Sequence, residues 1–184
     1  MLKFITCNKN KVSEVKKLLA PIKVKQINID LSEIQEIDPR KILKHKLAEA
    51  FKYHHGEFIV EDSALYLDCL NGQLPGPLIK WFNDTLGPQG IYRLAKKMGD
   101  SKAKAQTIFA LAKNSKDILF FEGIVKGKIT SPKGAYRFGY DEIFKPEDYN
   151  QTLSQMKAKG DFACSPRGLA AKKLKTYLIK HEGK

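Results

Sequence analysis

The chain has 184 residues, of which 42% are hydrophobic and 29% charged, the composition of a globular protein; one domain over residues 1–184, two lobes without a linker, is expected to bury roughly 70% of its unfolded surface. No apolar run nears the ~20 residues of a membrane span, the start Met1–Thr6 is too short and too soon polar for a signal peptide, and Cys7, Cys69 and Cys164 share no CxxC spacing while four histidines show no zinc spacing; a cytoplasmic location follows as the expectation. The net charge of +13 comes from dispersed lysines with no run longer than a pair, which fits a solvated surface and favours acidic partners without choosing among them.

Leu2–Thr6 reads as a strand, and Lys9–Ala20 as a helix with Val12, Val15, Leu18 and Leu19 at helical spacing, stopped by Pro21. Lys23–Ile29 alternates as a second strand. Asp38-Pro39 is a cap followed by a first-turn proline, opening a helix to about Tyr53. Phe58–Asp62 reads as a strand ending in two acids, with a short strand at Leu65–Leu67. Helices follow near Leu78–Thr85 and Pro88–Met98. Ala105–Lys113 and Ile118–Ile129 flank Asn114-Ser115-Lys116-Asp117 as a hairpin. Ser131–Asp141 is a loop of glycine and aromatics, and Gln151–Lys157 and Arg167–Lys180 are closing helices. This order predicts an α/β fold built on one long mixed sheet flanked by helices.

Four segments carry chemistry. Thr6-Cys7-Asn8-Lys9-Asn10-Lys11 turns from strand to helix, where Asn8 is a good N-cap and Lys9 and Lys11 oppose the helix dipole by about 0.3–1 kcal/mol each unless an anion shares the site. Glu33, Glu61 and Asp62 lie in a loop and at a strand end; oxygen ligands without histidine suit Mg²⁺, which takes one or two carboxylates plus substrate phosphates. Ala135–Asp141 places Tyr136, Phe138 and Tyr140 beside a carboxylate, a loop able to stack on a base, although alternating aromatics more often pack a core. Ser165-Pro166-Arg167 opens the last helix and leaves an arginine able to present paired donors to O6 and N7 of a 6-oxopurine; a capped surface helix is the plain alternative.

In this order the four segments resemble the inosine triphosphate pyrophosphatase family over nearly the whole chain. Thr6–Lys11 is similar to its TGNxxK loop, Val60-Glu61-Asp62-Ser63 to its VED(T/S) motif, Leu74–Phe82 to its LPGPYIKWF stretch, and Phe138-Gly139-Tyr140-Asp141 to its FG(W/Y)D motif. The resemblance implies an elongated mixed sheet whose two lobes enclose a central cleft, usually in a homodimer, and Mg²⁺-dependent hydrolysis of non-standard purine nucleoside triphosphates (ITP, XTP, dITP) to monophosphate and pyrophosphate. It implies that Thr6, Asn8, Lys11, Lys46, Ser63 and Lys80 contact substrate and that Glu33 and Asp62 bind magnesium. Asp62 would also be the general base. Phe138, Gly139, Tyr140 and Asp141 would hold the base, with Ser165 and Arg167 at its edge. No stable nucleic acid and no membrane are expected as partners. Three positions depart from the family pattern. Cys7 replaces a glycine, Pro166 a histidine, and Asp161 falls where a lysine is usual, with Lys157 and Lys159 out of register. A nucleotide-binding protein of the same fold with weak or altered catalysis, or a basic nucleic-acid-binding domain, are the competing readings.

Overall fold

Two strands longer than the rest organise the molecule, and the computed structural model describes residues 1–181 around them. In chain order the elements are β1 (Leu2–Ile5), α1 (Lys9–Leu19), β2 (Val24–Ile27), α2 (Pro39–Tyr53), β3 (Phe58–Leu67), β4 (Pro75–Gly76), α3 (Ile79–Lys97), β5 (Lys102–Ala112), β6 (Ile118–Ile129), β7 (Phe144–Pro146), α4 (Leu153–Ala158) and α5 (Pro166–His181). They form one mixed sheet of order β2-β1-β3-β5-β6-β7, with β4 pairing β3 off that path. β1 runs parallel to both neighbours, while β3, β5, β6 and β7 are antiparallel. The predicted α/β class, one long mixed sheet flanked by helices, is the fold observed.

Local chemistry sets the helix ends as the sequence indicates. The Asn8 side chain accepts from the amides of Asn10 and Lys11, Asp38 accepts from Arg40 ahead of α2, and Thr152 with Gln155 makes a reciprocal capping box on α4. The two helices expected around residues 78–98 join across a kink at Gly87 (φ 65°, ψ 171°), backbone open only to glycine. β4 and β7 were not anticipated: two and three residues are too few to show periodicity, and a proline sits in each.

Alternation divides the cores cleanly. Odd-numbered residues of β3 and β5 share one face. Its first half packs Phe4, Ile59, Phe109 and Leu111 under α1 and α5, and its far half packs Leu65, Leu67, Ala103 and Ala105 with α3, Phe144 and α4. On the opposite face α2 buries Val60, Ile108 and Ala110. The cleft lies between the cores at the two ends of the sheet.

One correction places that cleft. The acids at 61–62 do not end a strand: β3 runs unbroken from Phe58 to Leu67. Its outer edge pairs with β1 at Phe58 and Ile59 and with β4 at Leu65 and Tyr66, so the stretch between them lacks a strand partner on that side. Glu61, Asp62 and Ser63 occupy this gap.

Candidate active site

A cleft of about 510 Å³ opens at the gap, and every predicted site residue lines it. Since neighbouring side chains on a strand point to opposite faces, Glu61 and Asp62 serve two separate ion-pair systems. On the α2 side, the Lys46 ammonium lies 2.9 Å from Asp62 Oδ1 and 2.9 Å from Glu33 Oε1, and donates to the Glu61 carbonyl at 3.2 Å. Lys46 and Asp62 are buried; Glu33 arrives from the exposed loop before α2. Asp62 Oδ2 is buried without a hydrogen-bond partner.

On the other face Arg167, at the start of α5, forks onto Glu61 (Nε to Oε2 2.8 Å, Nη2 to Oε1 2.9 Å) and reaches Glu14 Oε2 through Nη1 at 2.6 Å. Such bidentate, charge-assisted pairing fixes a guanidinium firmly. Lys11 adds a contact to Glu61 at 3.2 Å. The Lys157 ammonium bridges Glu14 (3.0 Å) and Asp141 (2.8 Å). Phe138 lies over this lattice, its ring centre 5.4 Å from the Arg167 guanidinium carbon and 5.8 Å from Lys157 Nζ. Gly139, at φ 57°, allows the tight turn in which the Asp141 amide donates to the Phe138 carbonyl.

The two acids therefore differ. Burial would raise Glu61, but Arg167 and Lys11 outweigh it and hold its carboxyl far below the usual range. Burial does raise Asp62, with Lys46 only partly opposing it. Burial also pushes Asp141 up to about 6, since the lysine facing it is shared with Glu14. Lys46 moves upward because Asp62 and Glu33 overcome the cost of its own burial.

Several predicted residues carry duties the sequence does not display. Thr6 accepts from the Asn8 amide, and the Ser165 hydroxyl donates to the Phe162 carbonyl while capping the Gly168 amide. Ser63 donates to Glu61, Tyr140 is buried in the far core, and Lys80 is exposed beside Asp84 at 3.3 Å. Cys7 sits in ordinary backbone: Asn71 is the sole described non-glycine residue with positive φ, so losing the family glycine demands nothing there. Sequence reasoning missed Glu14 and passed over Lys157. Glu14 lies one helical turn after Lys11, a spacing that points both at one site. Lys157 is buried in the cleft wall, whereas Asp161, which takes the lysine's place by counting, is exposed and accepts from the Ala163 amide.

Fold and site together define an α/β protein with a lysine-lined cleft around a mid-strand pair of buried carboxylates. The chain belongs to the Ham1 family, whose profile matches residues 2–177. It is 36% identical over 177 residues, 95% of this chain and 93% of the relative, to an inosine triphosphate pyrophosphatase of Schizosaccharomyces pombe. A HAM1 protein from Coxiella burnetii shares the fold with TM-score 0.76 at 23% identity, covering 98% of this chain and all of the other. The Staphylococcus aureus Ham1 protein gives TM-score 0.75 at 22% identity over 97% and 98% of the two chains.

Proposed function

We propose that this protein hydrolyses non-standard purine nucleoside triphosphates (ITP, XTP and dITP) to the monophosphate and pyrophosphate. The observation that carries this reading is Asp62, a buried carboxylate with one oxygen paired to Lys46 and the other unpartnered, facing a cleft with three further lysines, Lys11, Lys80 and Lys157. Family membership and the named activity of the yeast relative support it. Among the described residues no group of three or more His, Cys, Asp or Glu gathers as a metal cluster. The fit instead is to a hard cation held by few protein oxygens: the orphaned oxygen of Asp62 and the exposed carboxylate of Glu33 are the donors Mg²⁺ takes beside phosphate. When bound there, Mg²⁺ neutralises charge on the phosphates and favours attack at phosphorus.

The chain's own residues do the rest. Lys11, Lys46 and Lys80 hold the triphosphate, with Asn8 ordering the turn that carries Lys11. Asp62 accepts a proton from the water whose oxygen bonds the α-phosphorus, as the bond to the bridging oxygen breaks and pyrophosphate departs. Phe138 stacks on the base. The Arg167–Glu61–Glu14–Lys157 lattice fixes the rim that meets the purine edge, where a 6-keto group is accepted and a 6-amino group leaves donors unpaired. The same reading makes the chain one cytoplasmic domain that works as a homodimer.

Pyrophosphate release across ITP, XTP, dITP, GTP, ATP and dUTP with Mg²⁺ tests it, alongside Asp62→Asn. Wild type should favour the first three, and the variant should lose about 10²–10⁴ in kcat while keeping its far-ultraviolet dichroism. Near-full turnover by Asp62→Asn would remove Asp62 from its role, and equal rates for ATP and ITP would remove the selectivity. Tight ITP binding without any turnover would make the chain a nucleotide-binding protein instead.

A further inference from the structure

Among the described residues no helix packs on the far half of the α2 face of the sheet, which carries lysines opposite lysines. Lys102 pairs across the strands with Lys128, Lys104 with Lys126, and Lys128 with Lys145. By alternation all five project from one face, opposite Ala103, Ala105 and Ile129 of the far core. Like charges directly opposite one another weaken a sheet. Among the described residues none of the five lies within ion-pair distance of a carboxylate. A hollow of about 630 Å³ on this face is lined by the five lysines together with Asp68 and Glu147, and the Lys104 ammonium stands 4.4 Å from the centre of the Tyr66 ring. The array is separate from the active-site cleft and shares none of its lining residues.

We propose that this lysine array is a second anion site, built for a compact condensed phosphate such as an inorganic oligophosphate or the phosphate tail of a nucleotide. Five ammonium groups left facing one another are stabilised when a multivalent anion lies among them. Size selects the ligand. The lysines cover two residues' rise along the strands and two strand spacings across them, roughly 7 by 10 Å. That is room for three or four linked phosphates. A single-stranded nucleic acid tracks a groove for several nucleotides and stacks on exposed aromatics, but among the described residues the one aromatic ring lining this hollow, Tyr66, is buried beneath Lys104. A second copy of the chain set face to face by a two-fold axis would bring ammonium against ammonium.

Acetylation rates of individual lysines in the intact protein, followed by mass spectrometry at low salt, test the site without using catalysis. Sodium tripolyphosphate should slow Lys102, Lys104, Lys126, Lys128 and Lys145 together along one saturation curve, while Lys96 and Lys173 keep their rates. Protection at lower concentration by tripolyphosphate than by ATP assigns the site to inorganic phosphate chains, and the reverse order assigns it to nucleotides. In Lys104→Gln/Lys128→Gln, protection of the remaining three should need about tenfold more tripolyphosphate, with turnover at saturating substrate unchanged. Five lysines that react like the rest of the surface overturn the proposal, as does protection by a duplex DNA at concentrations where tripolyphosphate gives none. The wild-type footprint alone decides if the double variant does not fold.

Discussion

Glu61 and Asp62 are adjacent, yet one is locked into a structural ion-pair lattice and the other is the proposed proton acceptor. Strand alternation sends Glu61 into the Arg167–Glu14 lattice and Asp62 toward Lys46. Removing one partner of a buried pair leaves an uncompensated charge, at a cost of about 3–5 kcal/mol. Glu61→Gln should lose that much unfolding free energy at pH 7 in urea denaturation. The sign of the pH dependence follows from the lowered carboxyl. The folded value lies below the unfolded 4.5, so this stability is present above about pH 4.5 and is lost as pH falls toward the folded value. The gap between wild type and Glu61→Gln should therefore narrow below pH 4, and a constant gap from pH 7 to 3 would show that Glu61 is not held ionised. The motif residues were legible because each belongs to a local turn or strand. Glu14 and Lys157 were not, because their meaning lies in partners 153 and 143 residues away.

The elements show the same division between local and distant causes. Asn8, Asp38 and Ser165 cap their helices as their types indicate, and the hairpin pairs in register from Ala112↔Ile118 outward. β3 read as broken at its acids because three polar residues in a row, Glu61, Asp62 and Ser63, interrupt its apolar run; here Arg167 and Lys11 pair Glu61 in place, and Lys46 pairs one oxygen of Asp62. The seat of α5 was also invisible to pattern. Gly123 on β6 lies directly under the first turn of that helix: a Cβ there would meet the Ala170 amide nitrogen at 2.6 Å and overlap the Pro166 carbonyl oxygen still more closely. Gly123→Ala must then lift the turn that carries Arg167. Overpacking of this kind costs about 1–3 kcal/mol. The urea midpoint should fall accordingly, and turnover should fall beyond what the unfolded fraction explains, because Arg167 leaves Glu61. A stable variant with wild-type turnover would show that α5 has slack over the sheet.

At the scale of the whole molecule, the charge of +13 acts on a substrate carrying several negative charges before any contact forms. Exposed charges act over about 10 Å at 0.1 M salt and over less as salt rises, whereas the buried pairs of the cleft are screened little. Two parts of the rate should therefore separate. Encounter depends on exposed lysines such as Lys80 at the cleft mouth and those spread over the surface, so kcat/KM for the triphosphate should drop several-fold between about 0.02 and 0.5 M potassium chloride. On the proposed mechanism the chemical step depends on Asp62 and Lys46, which are buried, so kcat should change little across the same range. Steady-state kinetics at fixed free Mg²⁺ measures both. A fall in kcat that matches the fall in kcat/KM would mean that salt reaches the buried pairs and that the cleft opens during turnover; a flat kcat/KM would mean that the lysine-rich surface serves the fold rather than substrate capture.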